Sequence, residues 1–328
     1  MFPAIIIGLI ILGIEFIAGI LANGLMIIVN CSEWIRNRKL SCCDMILTSL
    51  GISRFFLQCM LMINGTFFQL SPKMNEQCAM SKTLTIVWMF LNTLSLWFAT
   101  WLSVFYCVKI ANFSQPLFLW LKRRISGLVP QLLMGSFLVS LVTGLLFINA
   151  IERKYIDKSM NNLSGNSTGE CRYKVALSSS FFILSMLGYS SLFIIFIISS
   201  VLLIISLWRH SKRMEKTTSS SRDTVTEAHV RAIKGLISFI FFYISYFVAL
   251  VIFLLELFAN FLSLWVVIMG AYPSGHSVIL ILGNPKLKRA ILDLILLSTE
   301  DLIEEMVRGR HSGPPLPVRL SVGLPADS

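Results

Sequence analysis

Polar side chains inside long apolar blocks are expensive to place, so each one is a candidate functional position. Glu15 and Asn23 stand two helical turns apart in the first apolar block, on nearly one helix face. Arg54 stands inside the second block. A guanidinium in hydrocarbon must turn to the interior and find acceptors. Asn23, backbone carbonyls and polar groups near Ser277 are its candidate partners. Two roles fit these residues. One is an interior hydrogen-bond network that fixes helix packing; the other is direct contact with a ligand. Either is compatible with a switch, because such networks can hold two arrangements.

Trp88 and Asn92 lie one turn apart in the third block and share a face. Trp offers a large apolar surface with one donor, and Asn offers donors and an acceptor. The pair suits a small amphipathic organic ligand held between helices, and it equally suits ordinary helix packing. The last block holds Tyr272-Pro273-Ser274-Gly275-His276-Ser277. Proline and glycine interrupt helix regularity there and offer a hinge. His276 is either a titrating group or a packed, hydrogen-bonded one. No H-E-x-x-H, P-loop, G-x-S-x-G or C-x-x-C motif occurs, and the scattered His and Cys do not form a zinc set. No enzyme activity, metal or cofactor is therefore expected.

These residues need elements that hold them in lipid. Of the 328 residues 55% are hydrophobic and only 14% charged, against roughly 25–35% charged on a soluble surface. Mean hydropathy is +0.77. The apolar residues fall in blocks of about the 20 residues that a helix needs to cross a bilayer. The expected spans are 3–30, 43–65, 81–107, 126–149, 178–207, 233–256 and 261–282. The net charge of +11 is no sign of nucleic-acid binding, because the basic residues cluster in short loops between the blocks. The first loop holds Arg36, Arg38 and Lys39; the third holds Lys109, Lys122, Arg123 and Arg124. The fifth is the most basic, with Arg209, Lys212, Arg213, Lys216, Arg222, Arg231 and Lys234 in and around it. The odd-numbered loops and the tail are accordingly expected in the cytosol and the N-terminus outside. The block from Phe2 to Val29 is too long for a signal h-region and lacks a basic n-region, so it is expected to stay as a signal anchor and first span. Trp34, Trp120 and Trp208 stand beside basic residues at the cytosolic boundary, where indoles prefer to sit.

The expected architecture is an all-α membrane protein, a seven-transmembrane helix bundle over 1–290 with its C-terminus cytosolic. A cytosolic tail over 291–328, rich in Pro, Gly and Ser toward its end, is expected to be largely disordered. The fourth loop carries the sequons Asn162-Leu163-Ser164 and Asn166-Ser167-Thr168, expected glycosylation acceptors. Asn64-Gly65-Thr66 lies close to the membrane, and Asn112-Phe113-Ser114 faces the cytosol and should stay bare. Cys78 and Cys171 are the cysteines expected outside and form a candidate disulfide. Cys31, Cys42, Cys43 and Cys107 lie near the cytosol and are expected as reduced thiols, with palmitoylation the alternative. A carrier would show a repeated half or a pair of broken helices, and a pore would show rings of like polar residues. Neither pattern is visible.

Seven spans in this orientation suggest a G-protein-coupled receptor, although D-R-Y after the third span and N-P-x-x-Y in the seventh are absent. The third span ends Leu102-Ser103-Val104-Phe105-Tyr106-Cys107-Val108-Lys109-Ile110-Ala111-Asn112-Phe113-Ser114 and continues to Phe118-Leu119-Trp120-Leu121-Lys122. The fifth ends Ser206-Leu207-Trp208-Arg209-His210, followed by Glu227-Ala228-His229-Val230-Arg231-Ala232-Ile233-Lys234. The seventh ends His276-Ser277-Val278-Ile279-Leu280-Ile281-Leu282-Gly283-Asn284-Pro285-Lys286-Leu287-Lys288. With Asn23-Gly24, Trp34 and Asp44, these segments make the chain resemble the type 2 taste receptors, the bitter taste receptors of vertebrates, over nearly all but the tail.

The resemblance implies a plasma-membrane receptor for small bitter organic ligands, which enter from outside between spans three, five, six and seven. It implies signalling through a gustducin-type heterotrimeric G protein. Trp88 and Asn92 match family pocket positions, and Tyr246 matches a sixth-span aromatic that acts in switching. Val266 stands at a seventh-span pocket position that is polar in some members, which disfavours a salt bridge to cationic ligands there. Tyr106, Lys109, His210 and Lys234 would adjoin the G protein. The chain departs from the family in two places. Leu187-Gly188-Tyr189 stands where many relatives have a fifth-span proline, and the tail is longer than usual. A transporter or scaffold without G-protein signalling is the alternative class.

Overall fold

The computed structural model describes residues 2–70, 76–111, 115–161, 179–215, 222–254, 262–293, 296 and 299–300. Seven long helices account for nearly all of them: α1 (Phe2–Asn37), α2 (Cys42–Leu70), α3 (Glu76–Ile110), α4 (Pro116–Asn161), α5 (Ser179–Glu215), α6 (Arg222–Leu254) and α7 (Leu262–Gly283). A short helix, α8, follows over 285–293. Helix is the expected solution in lipid, because it satisfies each backbone polar group within the segment. Six of the helices are long and apolar enough to cross a membrane, and α7 contributes the apolar stretch Val267–Gly283.

Local chemistry sets several helix ends. At the start of α2, Asp44 N donates to Ser41 Oγ at 3.1 Å, and the Ser41 hydroxyl donates back to Asp44 Oδ2 at 2.7 Å. Ser41 is thus the N-cap of α2, with its hydroxyl oriented by the Asp44 carboxylate. Pro116 opens α4 at the first helical position, where its missing N–H costs nothing. Gly283-Asn284-Pro285 ends one helix and starts the next: Asn284 Oδ1 accepts the Lys286 N–H at 3.0 Å and caps α8.

Side chains are distributed inside-out relative to a soluble protein. Leu21 and Phe241 are each 67% exposed and Leu187 is 64% exposed, while Arg54, Gln58 and His276 are fully buried. Only a hydrocarbon solvent makes that arrangement favourable. The helices form a closed ring in which α1 packs on both α2 and α7, and α6 on both α5 and α7. Helix α3 sits at the centre, against α2, α4 and α5.

In lipid, helix association relies on packing and interhelical hydrogen bonds, worth about 0.6 kcal/mol each on average. Serines and glycines serve both here. Ser103 Oγ lies 2.8 Å from Ser199 Oγ and 2.9 Å from Ser200 Oγ, joining α3 to α5. Trp101 Nε1 donates to Ser136 Oγ at 2.8 Å, joining α3 to α4. The Phe242 ring of α6 lies against α7 at Gly275, where a Cβ would fall 2.7 Å from Phe242 Cζ.

The helices outrun the expected spans. Helix α4 continues to Asn161 and α2 to Leu70, because a helix keeps its hydrogen bonds in water beyond the apolar stretch that hydropathy detects. Helix α5 passes unbroken through Gly188, and a Cβ there would meet nothing within 4 Å.

Candidate functional site

Trp88 and Asn92 share the inner face of α3 and are nearly inaccessible, at 8% and 2% exposed. The Tyr246 hydroxyl of α6 donates to Asn92 Oδ1. One turn along α3 from Met89, the Thr93 hydroxyl lies 3.1 Å from the Tyr189 hydroxyl of α5, which is itself 3.4 Å from Met89 Sδ. Tyr272 of α7 closes the group, with its ring centroid 4.9 Å from that of Tyr246. Four helices thus converge on one aromatic and amide site.

Three polar atoms of this group are buried without a well-formed hydrogen bond: Asn92 Nδ2, although the Asn92 amide interacts with the Tyr189 hydroxyl, Ser185 Oγ, one turn before Tyr189 on α5, and the Tyr272 hydroxyl. A buried polar group left unpaired costs roughly 1–3 kcal/mol, so the site favours an occupant that offers an acceptor. Because Tyr246 occupies the amide oxygen, Asn92 presents its NH2 end.

Beneath the site lies the buried arginine. The Arg54 guanidinium carbon sits 5.0 Å from the Tyr272 ring centroid. Arg54 Nε donates to Ser95 Oγ of α3 at 3.3 Å, Nη1 donates to Ser277 Oγ at 3.2 Å, and Nη2 pairs with His276 Nδ1. The Ser277 hydroxyl accepts from Arg54. It lies 2.8 Å from Asn23 Oδ1 and 2.7 Å from the Pro273 carbonyl, and its one proton serves one of them at a time. Asn23 therefore reaches Arg54 through Ser277, not directly. Among the described residues no carboxylate pairs with Arg54. His276 is packed and hydrogen-bonded, stacked on Phe239 with centroids 3.4 Å apart.

Glu15 stands away from this set. Its Oε2 is buried without a hydrogen-bond partner against α7 at Gly270, where a Cβ would lie 2.5 Å from it. Gln58, one turn beyond Arg54 on α2, donates to the Gly270 carbonyl at 3.3 Å and to Ser274 Oγ. Spacing along α2 could have singled out Gln58, since it shares a face with Arg54. Tyr189 and Tyr272 had no such local signal.

At the other end of α3, Cys43 Sγ lies 3.4 Å from the Tyr106 hydroxyl. Lys109 is exposed, with Nζ 5.8 Å from the Phe105 ring centroid. Lys286 of α8 pairs with Glu33 of α1 and with Asp44 of α2 at 3.2 Å, and donates to Asn30 Oδ1 at 3.1 Å. Burial alone would lower the pKa of this ammonium. The hydrogen bond to Glu33 and the charge and hydrogen bond of Asp44 outweigh it, so the pKa is raised. The side chains of His210, Lys234 and Val266 lie outside the described residues, as do Asn162, Asn166 and Cys171. Cys78 falls in the first turn of α3 with its side chain outside them.

The model of the taste receptor protein family (TAS2R) matches residues 1–299. The chain belongs to this family. It is 39% identical to taste receptor type 2 member 7 of Papio hamadryas over 86% of this chain and 90% of that one. Identity to taste receptor type 2 member 2 of Homo sapiens is 38%, over 89% of this chain and 96% of the relative. Against taste receptor type 2 member 39 of Macaca mulatta it is 41%, over 84% and 82%. This taste receptor is a multi-pass membrane protein and a receptor, not an enzyme. In it, the Trp88–Asn92 site and the Arg54 network are neighbours that share Tyr272.

Proposed function

We propose that this taste receptor detects bitter-tasting small organic molecules at the plasma membrane and activates a gustducin-type heterotrimeric G protein. The observation that carries the reading is the continuous path from Asn92 through Tyr246 and Tyr272 to Arg54 and Ser277. A ligand that competes for Asn92 or displaces Tyr246 changes the packing over Arg54. That network ties α2, α3 and α7 together, and Pro273 sits one turn from Ser277. A proline lacks the N–H that would brace the helix at that turn, so α7 is where a change can be absorbed.

Ligands are held by Trp88, Asn92 and Tyr246, with Val266 at the pocket's seventh-helix side. With no charged side chain at the described part of the site, neutral amphipathic ligands suit it best. The N-terminus lies outside and the basic loops inside. Tyr106, Lys109, His210 and Lys234 then face the G protein. Asn162 and Asn166 carry glycans, and Cys78 pairs with Cys171.

A calcium or cAMP response in transfected cells, measured against a panel of bitter compounds, tests this reading. Trp88→Ala and Asn92→Ala are each expected to lower potency or efficacy; unchanged responses in both would remove the pocket assignment. Ligand-driven nucleotide exchange on purified protein is expected. Solute flux without exchange would instead mark a transporter.

A further inference from the structure

Three tryptophans at one end of the bundle stay largely exposed: Trp34 at 53%, Trp120 at 53% and Trp208 at 55%. Each has a basic residue four positions on, namely Arg38, Arg124 and Lys212, and all three basic side chains are exposed. The spacing repeats on three separate helix ends, those of α1, α4 and α5. Residues four apart on a helix are surface neighbours, and long side chains lean over the preceding turn. In α5 that contact is present, with Lys212 Nζ 4.4 Å from the Trp208 ring centroid. In α1 the residue falls just past the helix. Arg38 takes a left-handed φ of 51°, yet its N–H still donates to the Trp34 carbonyl at 2.8 Å, keeping it one turn on.

The three pairs belong to the same end of the bundle. Arg38 lies in the short connection from α1 to α2. Lys122 Nζ donates to the Ala111 carbonyl at 3.2 Å, which places the start of α4 beside the end of α3. Leu203 and Leu207 of α5 pack with Cys107 and Ala111. Lys286 meets Asp44, and Cys43 meets Tyr106, which bring α8, α2 and α3 to that end too. Helices α1 and α5 run outward there, whereas α4 runs inward. The leaning of each basic side chain toward its helix N-terminus therefore brings Lys212 inward and Arg124 outward, each to the level of its own indole. Indoles settle at the boundary between headgroups and acyl chains. The Lys212 head is thus held at the level of its indole, and Arg38 and Arg124 stand one turn from theirs, within reach of the same layer. Glu33 and Asp44, the acids nearest Arg38 in sequence, are already bound to Lys286.

We infer that the pairs Trp34–Arg38, Trp120–Arg124 and Trp208–Lys212 form a three-point contact for anionic phospholipid headgroups at this end of the receptor. An indole belt alone would be indifferent to headgroup charge. A cation one turn from each indole, and in contact with it at Trp208, is not, and each basic group near an anionic surface changes binding about fivefold. The contact goes beyond the ligand and G-protein reading and does not depend on it.

The test uses the purified full chain in nanodiscs of phosphatidylcholine with or without phosphatidylserine, so both leaflets match and orientation has no influence. Lipid retained by the receptor is read by native mass spectrometry. Phosphatidylserine is expected to be enriched around the wild type. The enrichment should fall about fivefold for each of Arg38→Gln, Arg124→Gln and Lys212→Gln, and persist in Arg38→Lys, Arg124→Lys and Lys212→Arg. Single variants are read as well as the triple one, because exposed side chains leave the packed interior intact. Equal lipid composition around the wild type and the triple glutamine variant overturns the inference. So does binding of inositol hexakisphosphate through these pairs with no dependence on bilayer charge, which would assign them to a soluble anionic partner.

Discussion

Asn92 is useful because its two ends are used differently. Its oxygen accepts from Tyr246, and its nitrogen is buried near the Tyr189 hydroxyl without a well-formed hydrogen bond. Tyr246→Phe deletes the donor and leaves the Asn92 oxygen buried and unpaired, at a cost of about 1–3 kcal/mol. Agonist potency in a calcium assay is expected to fall about tenfold, the equivalent of roughly 1.4 kcal/mol. Asn92→Ala/Tyr246→Phe should lose little more than either single variant, because coupled residues in one hydrogen-bond network are not additive. Full additivity would mean that the two side chains act separately. Arg54→Lys tests the lower network. A lysine is a point charge and cannot fork to Ser95, Ser277 and His276 together. Losing the arrangement of three interhelical bonds, at about 0.6 kcal/mol each, is expected to cost about 2 kcal/mol. A lower thermal midpoint in nanodiscs would report it.

Helices set how tightly these groups are held. Helix α7 carries Pro273, and next to the Arg54 level it meets α6 through Phe242 on Gly275. A methyl added at Gly275 would force the ring or the helix aside, and overpacking of that kind costs about 1–3 kcal/mol. Gly188 of α5 provides the contrast, since a Cβ there meets nothing within 4 Å. Gly275→Ala should lower the unfolding midpoint, and Phe242→Leu should partly restore it. Gly188→Ala should be neutral or raise stability by up to about 1 kcal/mol, the helix-propensity difference. A Gly188→Ala variant as damaged as Gly275→Ala would contradict the packing described. Much of this level was legible in advance: apolar blocks marked the helices, and period fixed that Trp88 and Asn92 share a face. Helix ends were less so, because the last turns of α4 are polar and hydropathy has nothing to say about helix in water. Contacts between helices were least legible. Tyr246 meets Asn92 across 154 residues; the Arg54–Ser277 contact, across 223, was expected only because a buried guanidinium needs polar acceptors. No local period encodes such distances.

Across the whole molecule, Lys286 closes the end of the bundle by joining α8 to α1 and α2. Its pKa is raised in the folded state, so the folded receptor holds this proton more tightly than the unfolded chain does. The stabilisation is fully present below the ordinary lysine pKa of about 10.4 and is lost as pH rises through the folded value. Lys286→Met should therefore be less stable than wild type near neutrality, with the difference shrinking at strongly alkaline pH. A constant difference across that range would rule out the ion pairs as its source. The central claim is that ligand at the Trp88–Asn92 site reaches the G protein through Tyr246, Tyr272 and Arg54. The most direct measurement is nucleotide exchange on purified gustducin-type heterotrimer, driven by the receptor in nanodiscs with an agonist found by screening. Wild type should accelerate exchange with agonist. Tyr246→Phe should still bind the compound, at reduced affinity, while losing most of the acceleration. Unchanged acceleration at saturating agonist in Tyr246→Phe would contradict the account.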